Sequence, residues 1–325
     1  MRKPNLFVVG APKCATTTLH AYLTMHPECF MSPVKEPAYF SRSRVTSDIR
    51  RTVPYLQSED AYLKLFAEAT NKHKVVGESS TCYMRAEEDL EELKSFAGQP
   101  KIIAVVRDPV SLISSYFHYL RFQGWEPLSN LREAWAIQDE RCAGRVISGT
   151  AHRPDSLAYR NVAQLGKQVQ RLFRMFDHDD VLILLSDDFR NDTDNLCRNL
   201  QAFLGLTYMP HIEMPHSNAA RAARVQFVDA LMKRDSRILR HVKNSMKRLF
   251  NVQSFGIRRL IEDINSEPMQ HSVDEDLRDE IRAYYWNDVE LLGRMMGRNL
   301  LQHWGWEQPS SAVDLDRLRR TDTRL

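Results

Sequence analysis

The sequence predicts an α/β fold: a three-layer sandwich with a central parallel sheet, helices on both faces and helical lid insertions. Three observations predict it. Short apolar runs recur along the chain, with helical periodicity between them. The runs are continuous rather than alternating, as in strands buried on both faces. The first run ends in Gly10 and passes within a few residues into a helical pattern.

Four runs read as strands: Leu6–Val9, Lys74–Val76 leading into Gly77, Ile102–Val106 and Val181–Leu185. The first helix opens at Thr16–Thr18, sets Leu19, Tyr22 and Leu23 on one face, and stops at Pro27. A second helix begins after the Arg-Asp-Pro at 107–109. A longer one is expected over about 157–176, with Val162, Leu165, Val169, Leu172, Phe173 and Phe176 on one face. Asp192 or Thr193 is expected to cap a helix ending at Gly205. Ser272-x-x-Glu275 reads as a capping box for a helix through Met296, stopped by Gly297. Residues 41–60, 122–156 and 207–270 find no place in the sheet and read as lid segments. The expected organisation is one domain over residues 1–309 and a polar tail over 310–325.

Composition narrows the class. In 325 residues, 43% are hydrophobic and 27% charged, ordinary for a soluble globular chain. A net charge of +3 gives no global argument for nucleic acid. Five scattered cysteines without a C-x-x-C pair indicate neither a disulfide framework nor a zinc site. The apolar run at Leu6–Val9 is too short for a signal peptide, and no run approaches the roughly 20 residues of a membrane span. The expected location is cytoplasmic.

The stretch FVVGAPKCATTTLHAYL carries the first chemistry. A helix N-terminus presents unpaired N–H groups and the positive end of its dipole, so it binds anions. Lys13 adds a full charge, and Thr16, Thr17 and Thr18 add hydroxyl donors. The strand–loop–helix order is P-loop-like, yet it does not match G-x-x-x-x-G-K-[ST]. A plain helix cap with a solvated lysine is the alternative. In IIAVVRDPVSLISSYFHYL, a strand delivers Arg107 at its carboxyl end, where open α/β sheets bind ligands. Asp108 suits the cap and Pro109 the first helical turn. Arg107 and Ser115 together suit a second phosphate; the alternative is a structural Arg107–Asp108 pair.

Together these motifs resemble the sulfotransferase family, whose donor is 3′-phosphoadenosine-5′-phosphosulfate (PAPS). APKCATTT is similar to its P-K-x-G-T-T loop, and RDPVSLISS to its R-D-P-x-x-x-x-x-S motif. SPVKEPAYFS, GESSTCYM and the segment ending in HWGW resemble further stretches of carbohydrate-type and bacterial members. The resemblance implies a loop of Lys13, Cys14, Ala15, Thr16, Thr17 and Thr18 on the phosphosulfate, with Arg107 and Ser115 on the 3′-phosphate. Arg221 or Arg224, in HSNAARAAR, would close over the nucleotide. Ala15 replaces the family's glycine, and Ser79 stands where members often carry a lysine.

Sulfuryl transfer needs a base and cations for the leaving phosphate. Lys13 is the stabilising cation, and no metal is called for. The resemblance puts the catalytic glutamate at Glu36, whose aromatic neighbours Tyr39 and Phe40 are expected to raise its pKa; the alternative is a surface Lys-Glu dipeptide, Lys35–Glu36. Glu78, after a strand, is the second candidate base, or a residue orienting Lys13 or the substrate. His20, His26 and His118 are alternative bases, since a histidine suits neutral pH, but His20 and His26 fall on or after the first helix and read as structural. The expected acceptor is a hydroxyl compound, a glycan or a lipid. Eleven Lys or Arg between 221 and 259, interleaved with apolar residues, read either as a solvated lid helix, as an arm for an anionic acceptor, or as a peripheral membrane contact. The competing classes are a small-molecule kinase and a nucleotide-binding or membrane-interaction module without catalysis.

Overall fold

The computed structural model describes residues 2–145, 151, 153–210, 214 and 273–307. Five strands form one parallel sheet: β1 (Leu6–Gly10), β2 (Cys29–Met31), β3 (Val75–Ser79), β4 (Lys101–Val106) and β5 (Val181–Leu185). Their order is β2-β3-β1-β4-β5. β1 lies at the centre and all five of its residues are buried. That is why its sequence is an unbroken apolar run. β1 pairs with β3 through Phe7–Glu78 and Val8–Ser79, and with β4 through Val8–Ile103.

Six helices of ten or more residues stand among the described elements: α1 (Thr16–Met25), α2 (Glu87–Ala97), α3 (Pro109–Phe122), α4 (Leu165–Met175), α5 (Thr193–Phe203) and α6 (Glu275–Met296). Leu19, Tyr22 and Leu23 form the buried face of α1, as the spacing predicts. Asp108 caps α3 by accepting the Ser111 amide at 2.8 Å, with Pro109 in the first turn.

Four expectations are corrected. β2 is a strand that the sequence reading missed. The run at Lys74–Val76 becomes β3 only from Val75 and continues through Gly77 to Ser79. The helix expected over 157–176 is broken into Tyr159–Val162 and α4. The break has a tertiary cause: Asp288 of α6 accepts the Gly166 and Lys167 amides at 2.8 and 2.9 Å, so it caps a new helix start. Gly166 is needed there, because a Cβ would sit 2.2 Å from the Asp288 carbonyl oxygen. Finally, Asp274, not Ser272, caps α6, accepting the Leu277 amide at 3.0 Å; Ser272 itself lies outside the described residues. Asp192 holds the N-cap position of α5 without a capping hydrogen bond.

Of the lid segments, 41–60 holds the short helices Ser47–Thr52 and Pro54–Leu56 over a small cluster of Val45, Val53 and Leu56. The 122–156 segment holds Leu131–Ala136 and Gln138–Cys142, fastened by a buried Arg141–Glu126 pair at 2.7 Å. Most of 207–270 and the tail over 310–325 lie outside the described residues. No described helix is long and apolar enough to cross a membrane.

Candidate active site

The chain leaves β1 toward β2 and leaves β4 toward β5, on opposite sides of the sheet. The carboxyl ends of β1 and β4 therefore flank the switch point, where open α/β sheets hold ligands. The loop after β1 turns there on two residues in the left-handed region, Lys13 (φ 62°) and Ala15 (φ 61°). Non-glycine residues take that conformation at a cost. The turn aims the start of α1 at the loop, and no side chain caps that helix. The N–H groups of its first turn are left without a side-chain cap beside Thr16, Thr17 and Thr18, the kind of helix start that attracts anions.

Close approach makes this loop possible. A Cβ on Gly10 would fall 1.7 Å from the Met84 sulfur, so a larger residue there would have to displace that side chain. Lys13 Nζ lies 5.0 Å from the Tyr119 ring centroid on α3. Cys14 is fully buried, and burial pushes its thiol up to about 12. It is a packing residue whose backbone serves the loop, not a nucleophile. Arg107, at the end of β4, donates from Nη1 to the Lys13 carbonyl at 3.2 Å. The structure so brings the two sequence motifs together. Ser115 lies on α3 two turns from Arg107, partly buried. Arg221 and Arg224 lie outside the described residues.

Glu36 belongs to the same sheet edge. Its amide donates to the Ser79 carbonyl at 2.8 Å, which fastens the loop to the end of β3, the strand beside β1. Strand spacing puts that point about 5 Å from the neighbouring strand that carries the Lys13 loop. Glu36 (φ 61°) and Ala38 (φ 53°) are both left-handed, so this loop is held in the same costly conformation as the first. The Glu36 carboxylate accepts from Lys35 Nζ at 2.7 Å, from the Thr81 amide at 2.9 Å and from the Thr81 hydroxyl.

The expected rise in the Glu36 pKa does not occur. Desolvation pushes it up, but the Lys35 charge and the hydrogen bonds from Lys35 and Thr81 outweigh this and hold it below its ordinary value. The aromatic neighbours act on Glu78 instead. Phe40 and Tyr39 pack on Tyr62, and Phe40 also on Tyr83. Tyr62 and Tyr83 donate to Glu78 Oε1 at 3.1 and 2.7 Å, and Ser80 donates to Oε2 at 2.7 Å. Glu78 is wholly buried, and desolvation raises its pKa to about 7. Its three described partners are all hydroxyls beneath the sheet edge. Ser79, next along β3, meets His20 Nδ1 at 2.9 Å, and His26 Nε2 meets the Thr207 carbonyl at 3.1 Å.

The C-terminal tryptophans also reach this end of the sheet. Trp306 Nε1 donates to Asp108 Oδ1 at 3.1 Å, and Trp304 Nε1 to Asp187 Oδ2 at 3.0 Å. The HWGW segment was noticed only for its likeness to other sequences; its two indole donors were the available signal.

Fold and site define an α/β protein with a lysine-bearing loop, an uncapped helix start and a neighbouring arginine at the switch point of a parallel sheet. Residues 3–248 match the family model described as the sulfotransferase domain. The chain belongs to that family. It is 29% identical over 156 residues to carbohydrate sulfotransferase 15 of Rattus norvegicus, covering 36% of this chain and 27% of that protein. It is 25% identical over 233 residues to bifunctional heparan sulfate N-deacetylase/N-sulfotransferase 4 of Mus musculus, covering 67% of this chain and 23% of that protein. The chain thus spans about a quarter of the length of these relatives. A sulfotransferase from Alicyclobacillus acidocaldarius is a structural neighbour with a TM-score of 0.57 and 28% identity, over 74% of this chain and 100% of that one.

Proposed function

We propose that this protein transfers the sulfuryl group of PAPS to a hydroxyl of a carbohydrate-type acceptor. The observation that carries the reading is the Arg107–Lys13 hydrogen bond, which joins two cationic loops over an uncapped helix start. One loop alone would serve any phosphate; two suit a nucleotide with separate 5′ and 3′ anions. The names of the two relatives, a carbohydrate and a heparan sulfate sulfotransferase, support the acceptor class.

The residues present fit the donor. Lys13, the Cys14–Ala15 backbone, Thr16, Thr17 and Thr18 would hold its phosphosulfate end, and Arg107 with Ser115 its 3′-phosphate. The donor supplies an activated sulfuryl group. Lys13 meets the charge that develops on the leaving phosphate. Glu36, fixed at the adjacent strand end, takes the proton of the acceptor hydroxyl. Glu78 braces that strand end through Ser80 and the two tyrosines. Arg221, Arg224 and the basic segment 221–259 belong to this reading only as sequence.

Calorimetric titration with 3′-phosphoadenosine-5′-phosphate (PAP), ADP and ATP tests it. The expected result is micromolar binding of PAP, far tighter than ADP, lost in Lys13→Ala and Arg107→Ala. Preference for ATP would point to a kinase, and no nucleotide binding to a module without catalysis; either overturns the proposal.

A further inference from the structure

Beside the Glu36 loop, three arginines crowd one carboxylate. Arg44 Nη1, Arg85 Nη2 and Arg153 Nε lie 3.3, 3.7 and 3.7 Å from the oxygens of Asp155. All three distances exceed good hydrogen-bond length. Arg44 has other partners: it pairs with Asp89 and donates to Ser41 Oγ at 3.2 Å and to the Cys82 carbonyl at 3.3 Å. Among the described residues, Asp155 is the one acid that Arg85 and Arg153 pair with. Nε and Nη1 of Arg85, all three guanidinium nitrogens of Arg153 and both carboxylate oxygens of Asp155 are buried without a hydrogen-bond partner. The Arg85 side chain is only 7% exposed.

Three guanidinium groups face two carboxylates, Asp155 and Asp89, so one positive charge is in excess. Buried charge is costly unless it is paired and hydrogen-bonded. Planar donor forks left unpaired suit a bidentate oxyanion. The cluster also sits where a transferase would use one. Cys82 follows Thr81, which holds the Glu36 carboxylate, and the Cys82 thiol lies within electrostatic range of Arg153, Arg85 and Glu36. Tyr116, in range of Arg85, Asp155 and Arg153, stands on α3 next to Ser115.

We infer that Arg85 and Arg153, with Arg44 behind them, receive an oxyanion carried by the acceptor itself. The acceptor is then an acidic molecule, anchored by a carboxylate, sulfate or phosphate ester while its hydroxyl faces Glu36. This rests on the sulfotransferase reading and narrows its acceptor. It also accounts for buried positive charge that the donor loops do not use.

The test is thermal unfolding of the full chain saturated with PAP, so that the donor's anion sites are filled. Sodium sulfate, phosphate and acetate are compared with chloride at equal ionic strength, in wild type and in Arg85→Gln and Arg153→Gln. The expected result is a rise in the wild-type midpoint of about 2 °C or more over chloride, abolished in both variants. The most effective of the three anions names the acceptor's group. Without added anion, the variants should unfold at the wild-type midpoint or above it, since an excess buried charge has been removed. An equal shift in wild type and variants, or none, overturns the proposed anion site. So does a variant destabilised in the absence of anion, which would mark a structural cluster. PAP binding is measured separately in the same proteins. Its absence in wild type sinks the donor reading, whereas its retention without an anion-specific shift sinks only the proposed anion site.

Discussion

Trp306 holds Asp108: its indole N–H reaches Oδ1 at 3.1 Å while Oδ2 caps α3 through the Ser111 amide. A residue almost two hundred positions away thus fixes the turn that aims Arg107. Trp306→Phe keeps the ring and removes the donor. Leaving Asp108 Oδ1 without its partner should cost about 1–2 kcal/mol. PAP should bind several-fold more weakly, because Arg107 is one residue from the loosened turn. Denaturant unfolding and PAP titration of this variant, beside Trp304→Phe, check the claim. An unchanged PAP affinity would detach Trp306 from the donor site.

Ala15 occupies the left-handed region at φ 61°. An L-residue pays about 1–2 kcal/mol there, and glycine gives back roughly 0.5–1 kcal/mol in unfolded-chain entropy. Ala15→Gly should therefore stabilise the protein slightly, by up to about 1 kcal/mol, and bind PAP at least as tightly. Loss of stability on this substitution would show that the alanine methyl makes packing contacts worth more than the strain.

The sheet was legible because its strands are buried on both faces and so read as apolar runs. β2 was not: Cys29–Met31 is three residues long and Phe30 is only partly buried, too little for any periodicity. The helix break before α4 was hidden for a different reason. The apolar spacing runs on through Ala163 and Gln164, and the interruption comes from Asp288 on another helix. The two loops that the proposal assigns to the donor could be singled out because each is contiguous in sequence. The environment of the two glutamates was not, since Tyr39 and Phe40 adjoin Glu36 in sequence but pack on the tyrosines that bind Glu78. Likewise Arg44, Arg85 and Arg153 meet only in the fold.

Glu36→Gln should lower kcat by about 10²–10⁴-fold and leave PAP affinity unchanged. The pH profile gives a second readout. Because Lys35 and Thr81 hold the Glu36 pKa below its ordinary value, Glu36 is ionised throughout the neutral range. Its acid limb in kcat should fall below the usual carboxylate range. Lys35→Met removes the opposing charge and the 2.7 Å bond, so the limb should move to higher pH. A profile that Lys35→Met does not shift would assign the base elsewhere.

Glu78 should make stability depend on pH in the opposite sense to a salt-bridged carboxylate. Burial raises its pKa to about 7 in the folded protein, against an ordinary 4.5. Between those values the folded chain holds a proton that the unfolded chain has lost, so stability falls as pH rises through this window. Above it the penalty is constant, about 3 kcal/mol at about 1.4 kcal/mol per pH unit. Glu78→Gln cannot ionise, yet its carbonyl can still accept from Tyr62 and Tyr83 and its amide can donate to Ser80. The variant should match wild type near pH 5, show a flatter stability curve from pH 5 to 7, and equal or exceed wild type at pH 8. Chemical denaturation at a series of pH values decides it. A variant less stable by the same amount at every pH would mean that the three hydroxyls hold Glu78 ionised, with its burial already offset by their hydrogen bonds.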